Sequence, residues 1–229
     1  MLQNDTSAQQ DPNNNHNNHG PSTFDLRHTL SATYTWEMPF FLNAKSRLVR
    51  SMLGGWSFAG IASYHSGFPI NIVAGPSVGG QTDPLQYLGT GNNVDRPNVA
   101  GPIVGWNPQP AGSATAPSGT TVVNGVAISN YALSLGLSQP LLGNFGNLGR
   151  NVLRINGQTN FDVDLFKNFH VTERVTVQLR GEGYNMLNQH SFQGVTSSNL
   201  PPITSTAFGQ YNSVAQGSRF GQLAARIIF

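Results

Sequence analysis

RFGQLAARIIF, residues 219–229, alternates along its length. Gly221, Leu223, Ala225, Ile227 and Phe229 occupy one set of positions, and Phe220, Gln222, Ala224, Arg226 and Ile228 the other. Successive side chains of a strand point to opposite faces, so one face here is apolar or neutral and the other is mixed. The run stops on a large aromatic of the apolar face, Phe229, with no hydrophilic tail. Such a pattern is expected where the outer face of a strand meets lipid and its inner face lines a wet lumen.

Earlier runs repeat the alternation. HTLSATYTWEM (28–38) places Leu30, Ala32, Tyr34 and Trp36 on one side and Ser31, Thr33, Thr35 and Glu37 on the other, and Pro39 closes it. In LGGWSFAGIASYHSGFP (53–69), Trp56, Phe58, Gly60, Ala62 and Tyr64 share a face. Trp56 and Tyr64 are then separated by roughly 26 Å, close to the apolar band of an outer-membrane barrel. TNFDVDLFKNF (159–169) sets Phe161, Val163 and Leu165 against Asn160, Asp162 and Asp164. RVTVQLRGEGYNMLN (174–188) sets Val175, Val177, Leu179, Gly181 and Gly183 against Thr176, Gln178, Arg180, Glu182 and Tyr184, and pairs with the preceding run as a hairpin.

Composition agrees with one-sided strands. Charged residues make up 10% of the 229, against roughly 25% in ordinary globular chains, while Gly (26) and Pro (14) are abundant. No run of 18 apolar residues is present, which excludes a transmembrane helix and leaves barrel strands open. The opening MLQNDTSAQQDPNNN lacks the basic and apolar regions of a signal peptide, so an exported protein would be part of a longer chain. Cysteine is absent, which removes disulfides, zinc thiolates and thiol catalysis. A formal charge of +2, scattered along the chain, gives no nucleic-acid footprint.

These features predict an all-β fold, an antiparallel transmembrane β-barrel fragment with about five strands visible of a larger barrel and long external loops. Residues 1–23 form a low-complexity, Asn-rich external loop segment, and 24–229 the partial barrel. The strands fall at 27–38, 53–66, 158–168, 174–187 and 219–229. The inner connections, 39–52 and 169–173, are modest, and the outer ones, 67–157 and 188–218, are long, as the barrel rule requires. The stretch at about 70–157 reads as irregular loop, rich in turn residues and without sustained periodicity.

Candidate site residues follow from the facing. Asp162, Asp164, Arg180, Glu182 and Arg226 share the polar side and form a lumen-facing charge network, with Arg174 nearby. Tyr34, Trp36, Trp56 and Tyr64 form a lipid-facing aromatic girdle. The loops offer Asp83, Asp95, Arg96 and Trp106 as solvated residues or ligand contacts. His16 and His19 have a His-x-x-His spacing, on a tract too flexible to pre-orient metal ligands. Asp162 and Asp164, two residues apart, are more at home in a charge network than in acid–base catalysis. No dinucleotide or phosphate-binding glycine motif is present, and the reading is non-enzymatic, with no cofactor and no metal.

The segments FDLRHTLSATYTWEMPF (24–40), LGGWSFAGIASYHSGFPINI (53–72), FDVDLFKNFHVTERVTVQLRGEGYNMLNQHSFQG (161–194) and FGQLAARIIF (220–229) resemble the C-terminal part of a TonB-dependent outer-membrane receptor, more narrowly the Oar-like, carboxypeptidase-regulatory-like group. The most specific stretch runs from Glu173, Arg174 and Gln178 to Tyr184-Asn185-Met186-Leu187-Asn188. The resemblance implies a plugged barrel of about 22 strands in the bacterial outer membrane, taking up large or scarce nutrients with inner-membrane energy. It implies three partners: outer-membrane lipid, the barrel-assembly machinery, for which Phe229 would be the signal, and a TonB-type complex acting through a plug domain this sequence does not contain. Alone, such a portion would not be competent for transport. The alternatives are a fragment of a passive porin-like barrel and a soluble β-rich binding module, the latter with the aromatics in its core.

Overall fold

The computed structural model describes residues 10–11, 14–75, 77–78, 81–82, 95–110, 117–141, 143–190, 201–211 and 217–229. The chain divides into two compact units. A sheet unit comprises Arg27–Ser66, Gly157–Ser191 and Gln216–Phe229. An inserted unit comprises Met1–Leu26, Gly67–Asn156 and Phe192–Ala215.

The sheet unit holds β1 (Thr29–Glu37), β2 (Trp56–His65), β3 (Gln158–His170), β4 (Thr176–Tyr184) and β5 (Phe220–Ile228), paired in that order. Each neighbouring pair is antiparallel. Between β1 and β2 the chain forms a helix, α1 (Arg47–Leu53), where sequence alone suggests only a connection. The helix starts after Ser46 and ends at Gly54, whose N–H donates to the Arg50 carbonyl.

Directly opposed residues share a face, so the register fixes both faces of the sheet. Tyr34 opposes Gly60, Gly60 opposes Val163, Val163 opposes Gly183 and Gly183 opposes Gly221. Two-residue steps from that row give Trp36, Phe58, Leu165, Gly181 and Leu223, then Ala32, Ala62 and Phe161. This face is apolar apart from the rim residues Thr159 and Lys167. The other carries the Ser and Thr of β1 and the acids and bases of β3–β5. A glycine is required at position 60, where a β-carbon would run into the Tyr34 ring and the Asp162 carbonyl.

The sheet is open, which overturns the transmembrane-barrel reading. Its edges are β1 and β5; neither has a neighbour on its outer side among the described residues, and β5 is exposed at every position. Closing a ring requires first and last strands to meet at matched tilt and stagger. An open edge in hydrocarbon would leave a row of N–H and C=O groups unsatisfied. The fold is therefore β-rich without being a closed membrane-spanning barrel. The outer-membrane location, drawn from the alternation and the resemblance, is overturned by the same open sheet. So are the partners tied to that location: outer-membrane lipid, the barrel-assembly machinery and a TonB-type energy-coupling complex. Among the described residues no helix is long and apolar enough to cross a membrane, a statement about helices alone.

The inserted unit departs from the irregular loop expected at about 70–157. It contains a buried apolar cluster that includes Ile70, Ile72, Val126, Ile128, Tyr131, Leu137, Leu153, Ile155, Ile203 and Phe208. Thr120–Val123 and Val126–Ser129 form a hairpin closed by Asn124 and Gly125, both with positive φ, the geometry of a two-residue primed turn. Val126 and Ile128 point into the cluster while Ala127 stays exposed. A short helix, α2 (Asn130–Ser134), adds Tyr131 and Ala132. Two-residue ladders join Pro69–Ile70 to Leu153–Arg154 and Asn98–Val99 to Leu137–Ser138, bringing distant segments against one core.

Candidate functional site

The polar face of β3–β5 gathers the chemistry-bearing side chains of the sheet unit. Glu182 is its hub. It accepts hydrogen bonds from the Gln222 side-chain amide, from the Tyr184 hydroxyl at 3.0 Å and from Arg180 Nη1 at 3.2 Å. The Gln222 and Tyr184 hydrogen bonds and the Arg180 charge hold the Glu182 carboxyl below its ordinary value. The same hydrogen bond raises the Tyr184 hydroxyl, because removing its proton would face the carboxylate. The Arg180 guanidinium also lies over the Phe166 ring at 5.4 Å, and Tyr184 stacks on Phe220 at 4.7 Å.

Asp162 has a different task. Its Oδ1 accepts from the Asn185 backbone N–H at 2.9 Å, its Oδ2 from Asn160 at 2.8 Å, and its carbonyl from the Tyr34 hydroxyl at 3.2 Å. Asn185, buried and with φ 50°, leaves β4 in a left-handed conformation that asparagine tolerates. Its side chain donates to the Gln189 and Gly217 carbonyls, both at 3.0 Å, and accepts from the Gln189 N–H at 2.9 Å. The Asn185 side chain thus ties the exit of β4 to the approach to β5.

Of the expected charge network, the structure joins Arg180 to Glu182. Asp164 stands directly across from Glu182, a like-charge pair, and Arg226 across from Gln178; neither enters an ion pair among the described residues. Asp162 serves the turn at Asn185, which leaves it poorly placed as half of an acid–base pair.

The four aromatic residues lie at different levels of the sheet. Trp36 and Trp56 are near one end, and Tyr64, opposite Leu30, is near the other. Tyr34 sits mid-strand, half-buried over Gly60 and packed on Phe58 and Phe161 with ring centroids 5.5 and 5.9 Å away. Trp36 meets Phe40 edge to face. Phe229 projects from the end of β5, 97% exposed. Two residues to which the sequence assigned no structural role matter here. Asn185 is one; Lys167 is the other, a buried cation on the apolar face that donates to the Gly54 carbonyl and lies over Trp56 and Phe169. Burial pushes its ammonium down. Its place on the Phe161–Val163–Leu165 alternation carried the only sequence signal.

In the inserted unit the loop candidates are structural. Asp95 accepts from Gln10 at 3.0 Å and from the Gly146 N–H at 3.3 Å. Arg96, 2% exposed, donates to the carbonyls of Leu148 and Asn17, and burial pushes its guanidinium down. Trp106 donates to the Arg154 carbonyl at 2.7 Å and packs on Tyr131 and Phe208. Asp83 lies outside the described residues. His16 and His19 stack at 6.3 Å about a single turn of 3-10 helix, Asn15–Asn18, and belong to no cluster of three potential metal ligands among the described residues.

Comparison with known proteins adds a family. Residues 2–222 match the family described as "Outer membrane beta barrel domain". No curated protein and no solved structure matches the chain. The family match is general. It does not extend to TonB-dependent receptors or the Oar-like group, and with the open sheet it overturns that narrower identification and the nutrient uptake inferred from it. On a match spanning nearly all of its length, the chain belongs to the outer membrane beta barrel domain family.

Proposed function

We propose that the chain is a β-rich binding module that takes an extended partner strand onto an edge of its five-stranded sheet. One observation carries the reading: β5 is nine residues long, exposed throughout and outermost in the sheet. A bare edge is a template for main-chain hydrogen bonding by another strand. Proteins usually blunt such edges with proline, bulges, inward charges or very short strands. β5 has no proline and pairs with β4 through nine consecutive residues without a bulge. β1 is an edge of the same length. The reading is non-enzymatic and asks for no cofactor.

Hydrogen exchange with a synthetic nonapeptide of alternating Leu and Thr as probe tests this. Slowed exchange in β5 or β1, with β2–β4 unchanged, is the expected result. Ala225→Pro, which removes an N–H at the β5 edge, should abolish protection there. Peptide-independent exchange at both edges would end the proposal.

A further inference from the structure

We infer that the partner strand on β5 is β5 of a second copy, the two related by a two-fold axis perpendicular to the sheet and passing beside Ala224. This rests on the edge-binding reading and names its partner.

Geometry selects the arrangement. Five antiparallel strands in sequence order make β1 and β5 run in the same direction. Abutting β5 of one copy on β1 of another, with apolar faces on the same side, would therefore give a parallel junction. An antiparallel junction that keeps the apolar faces together needs like edges, related by a perpendicular two-fold. The period of two then restricts the register, because a one-residue slip would set apolar against polar faces. Within the allowed registers, centring on Ala224 is the one that pairs all nine residues of β5.

That register is complementary in size and chemistry. On the apolar face Leu223 meets Ala225 of the other copy, and Ile227 meets Gly221, each large side chain beside a small one. On the polar face Phe220 meets Ile228, and the small Ala224 meets itself on the axis. Arg226 meets Gln222. The amide nitrogen of Gln222 is committed to Glu182, which leaves its oxygen as acceptor, and Arg226 enters no ion pair among the described residues. The same operation on β1 would also oppose large and small residues, Tyr34 against Ala32. Yet Tyr34 already packs on Phe58 and Phe161 of its own sheet, whereas Leu223 is 92% exposed and has more to gain.

The full chain contains no cysteine, so single introduced cysteines report the register. Directly opposed antiparallel residues have Cα atoms about 4.5–5.5 Å apart, inside the disulfide range. Under mild oxidation Ala224→Cys should give a covalent dimer. Gln222→Cys and Arg226→Cys should each stay monomeric alone and cross-link when mixed. The mixed sample contains the same two variants as the separate ones, so misfolding cannot produce that difference. Cross-linking of Thr33→Cys in place of Ala224→Cys would overturn the inference by moving the axis to β1. Self-linking of Gln222→Cys as efficient as that of Ala224→Cys, or no cross-link in any sample, would overturn it as well. Peptide protection of β5 without a dimer would leave the edge-binding reading standing with a different partner; loss of both would remove both.

Discussion

The two units handle apolar residues in opposite ways. In the inserted unit Ile203 and Phe208 are 0% and 1% exposed, gathered with Ile70, Ile128 and Tyr131 into one cluster. In the sheet unit Leu30, Trp36, Leu223, Ile227 and Phe229 are exposed, and no hydrophobic residue of β1–β5 joins the buried core. The unit with regular secondary structure is thus the one without a core of its own. Strand regularity comes from backbone pairing, which needs only neighbours in the sheet. Burial needs a second layer, and the described part of the sheet unit offers no second sheet to supply one. Stability and interaction are accordingly divided between the units.

Truncating a side chain in each unit tests that division most sharply. Phe208→Ala removes a ring packed on Trp106 and Tyr131 and should destabilise the inserted unit by about 3–5 kcal/mol. Leu223→Ala on β5 should change stability by no more than about 0.5 kcal/mol. Denaturation followed by Trp106 fluorescence, in a background with Trp36 and Trp56 replaced by Phe, reads the first. Fluorescence of Trp36 and Trp56, with Trp106 replaced, reads the second. Equal losses would break the comparison, because they would mean that the sheet face is covered.

Within the sheet unit, sensitivity should concentrate where side chains do pack. Gly60→Ala places a methyl against the Tyr34 ring and the Asp162 carbonyl and should cost about 1–3 kcal/mol, with loss of the near-ultraviolet signal of Tyr34. Asn185→Ala leaves the Gln189 and Gly217 carbonyls without their donor, a loss of about 1–3 kcal/mol. Asn185→Gly keeps the left-handed backbone accessible while removing the same hydrogen bonds. A smaller loss for glycine than for alanine, measured by the same denaturation, separates backbone strain from the lost amide. Identical losses would assign the whole effect to the side chain.

How much of this was legible depends on the range of the signal. Alternation is local, so the runs that become β1–β5 and the faces of their side chains could be read from Thr29–Glu37 or Phe220–Ile228 alone. Closure is not local. It depends on what stands beside β1 and β5, and nothing in an alternating strand distinguishes a ring from an open edge. The inserted core was hidden for another reason. Its residues arrive in bursts two positions apart, such as Ile70 and Ile72, Val126 and Ile128, or Leu153 and Ile155, separated by turns. Each burst is too short for a periodicity to register. At the site, Arg180 and Glu182 share a face by spacing, but Gln222 reaches Glu182 only through the β4–β5 register. Asn185 stood out only within the Tyr184–Asn188 stretch that carries the resemblance, and its partners Gln189 and Gly217 are fixed by the turn and not by any local pattern.

The smallest expected effect is a pH dependence confined to the sheet unit. Glu182 is held below its ordinary value by the Gln222 and Tyr184 hydrogen bonds and by Arg180, with Asp164 facing it across the β3–β4 ladder. A carboxylate with a lowered folded-state pKa contributes stability that is present above its unfolded value, about 4.3, and lost as pH falls through the folded one. The sheet unit should therefore lose stability on acidification below that value. Glu182→Gln, which accepts hydrogen bonds without titrating, should flatten this part of the profile by lowering neutral-pH stability towards the acid value, so that the two proteins converge as pH falls. The inserted unit, where Glu182 has no part, should show the same acid profile in both proteins. Denaturation midpoints between about pH 3 and pH 7, read through Trp36 and Trp56 and then through Trp106, make the comparison. An unchanged sheet-unit profile in Glu182→Gln would show that its hydrogen bonds form equally well to the neutral acid, and Glu182 would cease to be the hub of the polar face.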